Sequence, residues 1–229
     1  MFTLSPVEIE ALLLSLRVAA WCVLLSLPFG ILVAWVLSRR QFFGQVIFDG
    51  LIHLPLVIPP VVVGYLLLVL FGKQGPIGGF LSDAFGISVI FTWKGAAIAS
   101  AVMAFPLMVR AIRLSFDMVD RGLEQAAATL GASPFRVFFT ITLPLIAPGI
   151  LVGVILAFAR SLGEFGATIV VAGNIPGRTQ TIPLAIYSKV QLGKDSEALN
   201  LIIVSTALAI ITLIIHHWLI IRGSRKSQR

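Results

Sequence analysis

Charge is what this 229-residue sequence has least of: 12% of its residues are charged and only ten are acidic. A soluble domain carries roughly 25% charged residues. With 58% hydrophobic residues and a mean hydropathy of +1.02, the chain holds more apolar surface than a soluble core could cover, so an integral membrane protein is expected. The single cysteine, Cys22, excludes an internal disulfide and, inside an apolar run, reads as a small core residue. No H-E-x-x-H, Ser-Lys or paired-carboxylate constellation occurs in the apolar runs, which argues against a membrane enzyme. The glycine-rich stretch Gly72-Lys73-Gln74-Gly75-Pro76 does not fit G-x-x-x-x-G-K-[ST], so no ATP site, cofactor or metal is expected on this chain. There is no internal repeat to supply two halves of a pathway, and acids within the spans are scarce; both count against a self-sufficient secondary transporter or channel. Glu8 and Glu10 stand where a cleavable signal would be basic, so none is expected.

What is present is five apolar runs, which predict an all-α fold of a single transmembrane domain with spans at residues 11–37, 46–71, 87–109, 146–165 and 201–221. The first is longer than the roughly 30 Å of hydrocarbon requires at 1.5 Å per residue, and must tilt or bend at Pro28 and Gly30. Arg17 near its outer end is read as snorkelling to the headgroups, and Trp93 with Lys94 as an interfacial anchor. The second contains His53, Pro55, Pro59 and Pro60; it reads either as a kinked packing helix or as unwound backbone beside a pathway, with His53 a satisfied interior residue. In the fourth, Arg160 and Glu164 are four apart and expected on one helix face, as a bundle contact or as positive potential for an anion, with Gly163 and Gly166 permitting close backbone approach. His216 and His217 are assigned no metal. The net charge of +7 belongs to topology rather than to nucleic acid: Arg39, Arg40, Arg110, Arg113, Arg121, Arg136, Arg222, Arg225, Lys226 and Arg229 fall on one side, against Lys73, Lys94, Arg178, Lys189 and Lys194 on the other. The richer side is expected to be cytoplasmic, which puts the N-terminus outside and the C-terminus inside.

One stretch breaks the apolar pattern. Between Leu123 and Leu145 a helix with three alanines, Ala126, Ala127 and Ala128, is expected to end at Gly131, and a second to start with Ser133 as N-cap and Pro134 in its first turn. That second helix carries Phe135, Phe138 and Phe139 beside Arg136, and Leu143-Pro144 is expected to close it. Such a knuckle is either an interfacial helix pair or a docking element.

The spacing Ala126-Ala127, three residues, Gly131, nine residues, Ile141, one residue, Leu143-Pro144 resembles the EAA loop of ABC importer permeases. Gln125 stands where that family has glutamate, and Glu124 precedes it, so either can supply the polar contact. The resemblance implies a type I importer permease fold in which Glu124, Gln125, Ala126, Ala127, Gly131, Ser133, Pro134, Leu143 and Pro144 seat in a cytoplasmic ATPase. The stretches HLPLVIPPVVVGYLLLVL (53–70) and ARSLGEFGATIVVAGNIPGRTQTIPL (159–184) are similar to molybdate permeases of this class, and sulfate permeases share the GEFGA segment. By that resemblance the cargo is molybdate with tungstate, in the bacterial inner membrane, and sulfate or thiosulfate is the alternative. The implied partners are a second copy, ATPase subunits carrying ATP and Mg, a periplasmic oxyanion-binding protein and the bilayer. Pro59, Pro60, Arg160, Gly163, Glu164 and Gly166 are the pathway candidates.

Overall fold

The computed structural model describes residues 5–226, with backbone alone for His216, His217 and 219–226, so the two histidines' side chains lie outside it. Helix α1, Pro6–Arg39, starts on a capping box: the Glu8 amide donates to Ser5 Oγ and the Ser5 amide to Glu8 Oε2 at 2.7 Å. Its buried stripe is mostly small, including Ala11, Ser15, Ala19, Cys22, Ser26, Gly30 and Ala34, and this lets α5, Trp93–Met118, approach closely. A side-chain carbon at Gly30 would stand 2.9 Å from the Met108 sulfur. Helix α5 is the centre of the bundle, packed also against α8, Leu143–Leu162, where Gly149 and Gly153 face Ser115, Met108 and Ile112.

Side-chain contacts fix the relative direction of these helices. At one end, Ser38 Oγ donates to Asp117 at 2.5 Å, joining the C-terminal ends of α1 and α5, and Arg39 bonds Glu124 just beyond α5 at 3.0 Å. Toward the other end, the Arg17 guanidinium lies 3.9 Å above the Trp93 ring, joining their N-terminal halves. Arg17 is thus held on an aromatic face as well as exposed. Helices α1 and α5 are therefore parallel, and residues 40–92 must carry the chain once across the bundle.

They do so as a broken span. Helix α2, Gln45–His53, a 3₁₀ turn at Leu54–Leu56 and helix α3, Pro60–Phe71, form two arms bent by 112°. The expected continuous run at 46–71 is thus interrupted: Pro59 and Pro60 have no amide hydrogen to donate, and Pro60 serves as the first residue of α3. His53 is held locally, its Nδ1 2.9 Å from the Asp49 carbonyl. Helix α4, Pro76–Phe85, then folds back on α3. Among the described residues, four single helices and this bent pair are long and apolar enough to cross a membrane.

The remaining boundaries differ from expectation in instructive ways. The third span starts at Trp93, capped by Thr92, and runs on to Met118, so Arg110 and Arg113 are inside it. The helix after Ser133 does not close at Leu143-Pro144. It runs from α7, Pro134–Val137, through a π turn at Phe138–Thr142 into α8, because Pro144 falls in the first turn after the π register shift. The glycine-rich and polar stretch after α8 contains two helices, α9 at Gly166–Ala172 and α10 at Ile182–Gln191, before α11, Asp195–Lys226. Lys189 of α10 pairs with Glu197 of α11 and lies 4.0 Å from Glu8 of α1. Helix α11 therefore starts beside the beginning of α1 and runs toward the end where Arg39 sits.

Candidate functional site

Two places bring the candidate residues together. The first is the knuckle. Helix α6, Arg121–Thr129, begins at Asp120, whose carboxylate accepts from the Gly122 amide at 2.8 Å. Gly131 follows at φ +84°, in the left-handed region. No heavy atom lies within 4 Å of where the first carbon of a side chain there would be. The demand for glycine is conformational, not steric. Ser133 accepts from the Arg136 amide and Pro134 opens α7, as the residue types require.

Glu124 and Gln125 separate cleanly. Glu124 Oε1 accepts from Arg39 Nη2 at 3.0 Å and from Thr142 Oγ1 at 2.7 Å, tying α6 to the end of α1 and to the π turn. Gln125 and Ala126 are exposed, and Ala127 is half-buried. Leu130, Phe135 and Phe139 are 89%, 80% and 60% exposed, an apolar face on both sides of the turn. Leu143 and Pro144 lie below this face as the first residues of α8. The sequence marks Arg39 only as a topology charge and does not single out Thr142: their partner is 85 and 18 residues away, and nothing local marks the pairing.

The second place is where two breaks meet. Helix α8 stops at Leu162, so Arg160 and Glu164 do not share one helix as their spacing suggested. Glu164 sits in the break between α8 and α9, fully buried, with Oε2 2.7 Å from Arg160 Nη1 and Oε1 accepting from the Ala167 amide at 2.8 Å. Thr168 Oγ1 donates to the Glu164 carbonyl at 3.2 Å, satisfying backbone that the break exposes, and lies 2.9 Å from the Phe165 carbonyl. The α8 to α9 break packs on the α2 to α3 break: a side-chain carbon at Gly166 would stand 2.8 Å from Pro60 Cβ, and one at Gly64 would stand 2.9 Å from the Ala167 carbonyl oxygen. Gly163 opens to free space, and Pro59, next to Pro60 in the chain, is exposed. So Pro60, Gly166, Glu164 and Arg160 form one cluster, with Gly163 and Pro59 at its edges. Discontinuous helices facing each other within a bundle are a recurrent way to line a substrate path.

The bundle thus joins an exposed apolar knuckle at one end to paired helix breaks inside, an arrangement that suits a transport subunit. Residues 26–222 match the family described as "Binding-protein-dependent transport system inner membrane component", and the chain belongs to that family. It is 60% identical to the "Molybdenum transport system permease protein ModB" of Escherichia coli (strain K12) over 217 residues, covering 94% of this chain and 95% of that one. The protein of the same description in Haemophilus influenzae is 56% identical over 96% of each chain. The "Sulfate transport system permease protein CysW" of Synechocystis is 38% identical, covering 90% of this chain and 74% of that one. Among solved structures, a bacterial ABC transporter involved in the import of the acidic polysaccharide alginate superposes with a TM-score of 0.69 at 18% identity, over 96% of this chain and 80% of that one. The fold is thus that of a type I importer permease.

Proposed function

We propose that this chain is the membrane subunit of an ATP-driven importer of molybdate and tungstate. The observation that carries the cargo is the contrast between 60% identity to a molybdenum permease and 38% to a sulfate permease over similar shares of this chain, 94% and 90%. The chain itself is not an enzyme. ATP and Mg belong to ATPase subunits that seat on the knuckle, with Leu130, Phe135 and the exposed side of α6 (Gln125, Ala126) as the contact and Glu124 as its internal strut. Gly131, Ser133 and Pro134 shape the turn, and Ala127, Leu143 and Pro144 support it. A second copy completes the pathway, since one chain supplies one set of facing breaks. A periplasmic oxyanion-binding protein delivers the anion.

In this reading Pro59, Pro60, Gly163 and Gly166 line the path, and Arg160 lowers its barrier to a doubly negative anion while compensating buried Glu164. The knuckle end faces the cytoplasm, so the N-terminus is outside and the C-terminus inside, which labelling of cysteines placed at Ser5 and Ser227 reads directly. Labelling of both from one side would contradict five crossings. The functional test is complementation: cells lacking their own high-affinity molybdate uptake, given this chain together with the ATPase and binding protein of a molybdate importer, are expected to recover labelled molybdate uptake that tungstate competes and sulfate does not. Competition by sulfate with none by tungstate would favour the sulfate or thiosulfate alternative.

A further inference from the structure

At the knuckle end a cleft of about 490 Å³ opens between the end of α1, the start of α2 and the last turns of α5. Its lining is almost wholly polar and carries Arg39, Arg40, Arg113 and Arg121 against one acid, Asp117. The neighbouring acids do not neutralise it. Asp49 and Asp117 engage Arg113 at 3.1 and 3.9 Å, and Glu124 engages only Nη2 of Arg39. Arg121 donates to a carbonyl, that of Ser38, at 3.2 Å. Arg40 enters no ion pair among the described residues and lies 5.5 Å over Trp35. The Arg39 side chain is nine-tenths buried, yet its Nε has no hydrogen-bond partner, an orphaned charged donor at the wall of a basic cleft.

Directly beside the cleft the chain turns apolar and outward. Gln41 and Gln45 line the cleft, while between and just beyond them Phe43, Val46 and Ile47 are 107%, 86% and 70% exposed. A phosphate group offers several acceptor oxygens to guanidinium forks, and the adjoining apolar surface needs hydrocarbon to cover it. We propose that this cleft holds the phosphate of an anionic phospholipid, whose acyl chains lie along Phe43, Val46 and Ile47. Because Arg39 also holds Glu124 and Arg121 is the first residue of α6, the bound headgroup ties α1, α5 and the knuckle together.

The test is native mass spectrometry of the purified full chain titrated with phosphatidylglycerol, with phosphatidylcholine of the same acyl chains, and with inorganic phosphate. Phosphatidylglycerol is expected to bind more tightly than phosphatidylcholine, and Arg40→Gln to weaken it roughly fivefold. Arg110→Gln, an exposed change on α5 outside the cleft, is expected to leave it unchanged. Arg121→Gln supplies a second variant with the same expected loss. Equal binding of the two lipids, or equal losses in Arg40→Gln and Arg110→Gln, would overturn the assignment. Displacement of phosphatidylglycerol by inorganic phosphate would overturn it in favour of a free-anion site.

Discussion

Charging the two sides of the Gly131 turn together, as Leu130→Asp with Phe135→Asp, is expected to abolish molybdate uptake while the permease stays inserted at its normal level. Both side chains are largely exposed in the isolated chain, 89% and 80%, so the substitutions remove little packing. Surface changes of this kind usually alter folding by no more than about 0.5 kcal/mol. Their cost falls on the complex instead. An aromatic or leucine anchor buried at the centre of an interface is worth on the order of 2 kcal/mol or more, and burying an unpaired carboxylate there adds to the loss. Two such losses weaken ATPase attachment by roughly a thousandfold or more. Co-purification of the ATPase with the variant and uptake normalised to membrane-inserted permease measure the effect; uptake within twofold of the parent would mean that this face does not dock the ATPase.

Removing the cation of the buried pair should be nearly as damaging, for a different reason. In Arg160→Met, Glu164 keeps the Ala167 amide but loses the guanidinium 2.7 Å away, in a place where its carboxylate is 2% exposed. Breaking a buried pair on one side costs about 3–5 kcal/mol, a large share of the stability of a single domain. The single variant is expected to be lost from the membrane or to unfold at much lower temperature. Neutralising the partner as well, in Arg160→Met with Glu164→Gln, is expected to restore the folded protein, since an amide can still accept from the Ala167 amide. The double variant then isolates transport: with folding restored, slower uptake of the dianion reads the contribution of Arg160 to the path. A stable Arg160→Met chain with parental uptake would contradict both roles.

The residues explain how far the sequence could be read. Ser133 with Pro134 and the glycine at 131 state the knuckle locally, because caps and left-handed turns depend on neighbours within four positions. Composition likewise sufficed for the apolar runs. What stayed hidden depends on distant partners or on register. The strut from Glu124 to Arg39 and Thr142 joins three segments, and only their packing shows that the glutamate turns inward while Gln125 stays outside. Pro144 looked like a helix end because a proline removes one amide hydrogen, but the π turn before it makes it a first-turn residue of a continuing helix. The spacing of Arg160 and Glu164 suggested one helix face. The pair forms anyway, across a break at Gly163 that four-residue periodicity cannot reveal.

We propose that this permease couples molybdate delivery to ATP hydrolysis on a partner while leaving selectivity over sulfate mostly to the binding protein. Few fixed charges sit at the helix breaks to tell two tetrahedral dianions apart, whereas a closed cleft can discriminate by size and directed donors. The direct measurement is ATP hydrolysis by the reconstituted assembly in liposomes, with its own binding protein loaded with molybdate or offered sulfate, and then with a sulfate-selective binding protein grafted to dock on the same permease. Molybdate is expected to stimulate hydrolysis in the first assembly and sulfate in the second; stimulation of the native assembly by sulfate and not by molybdate, or a grafted assembly that docks but ignores sulfate, would contradict the account.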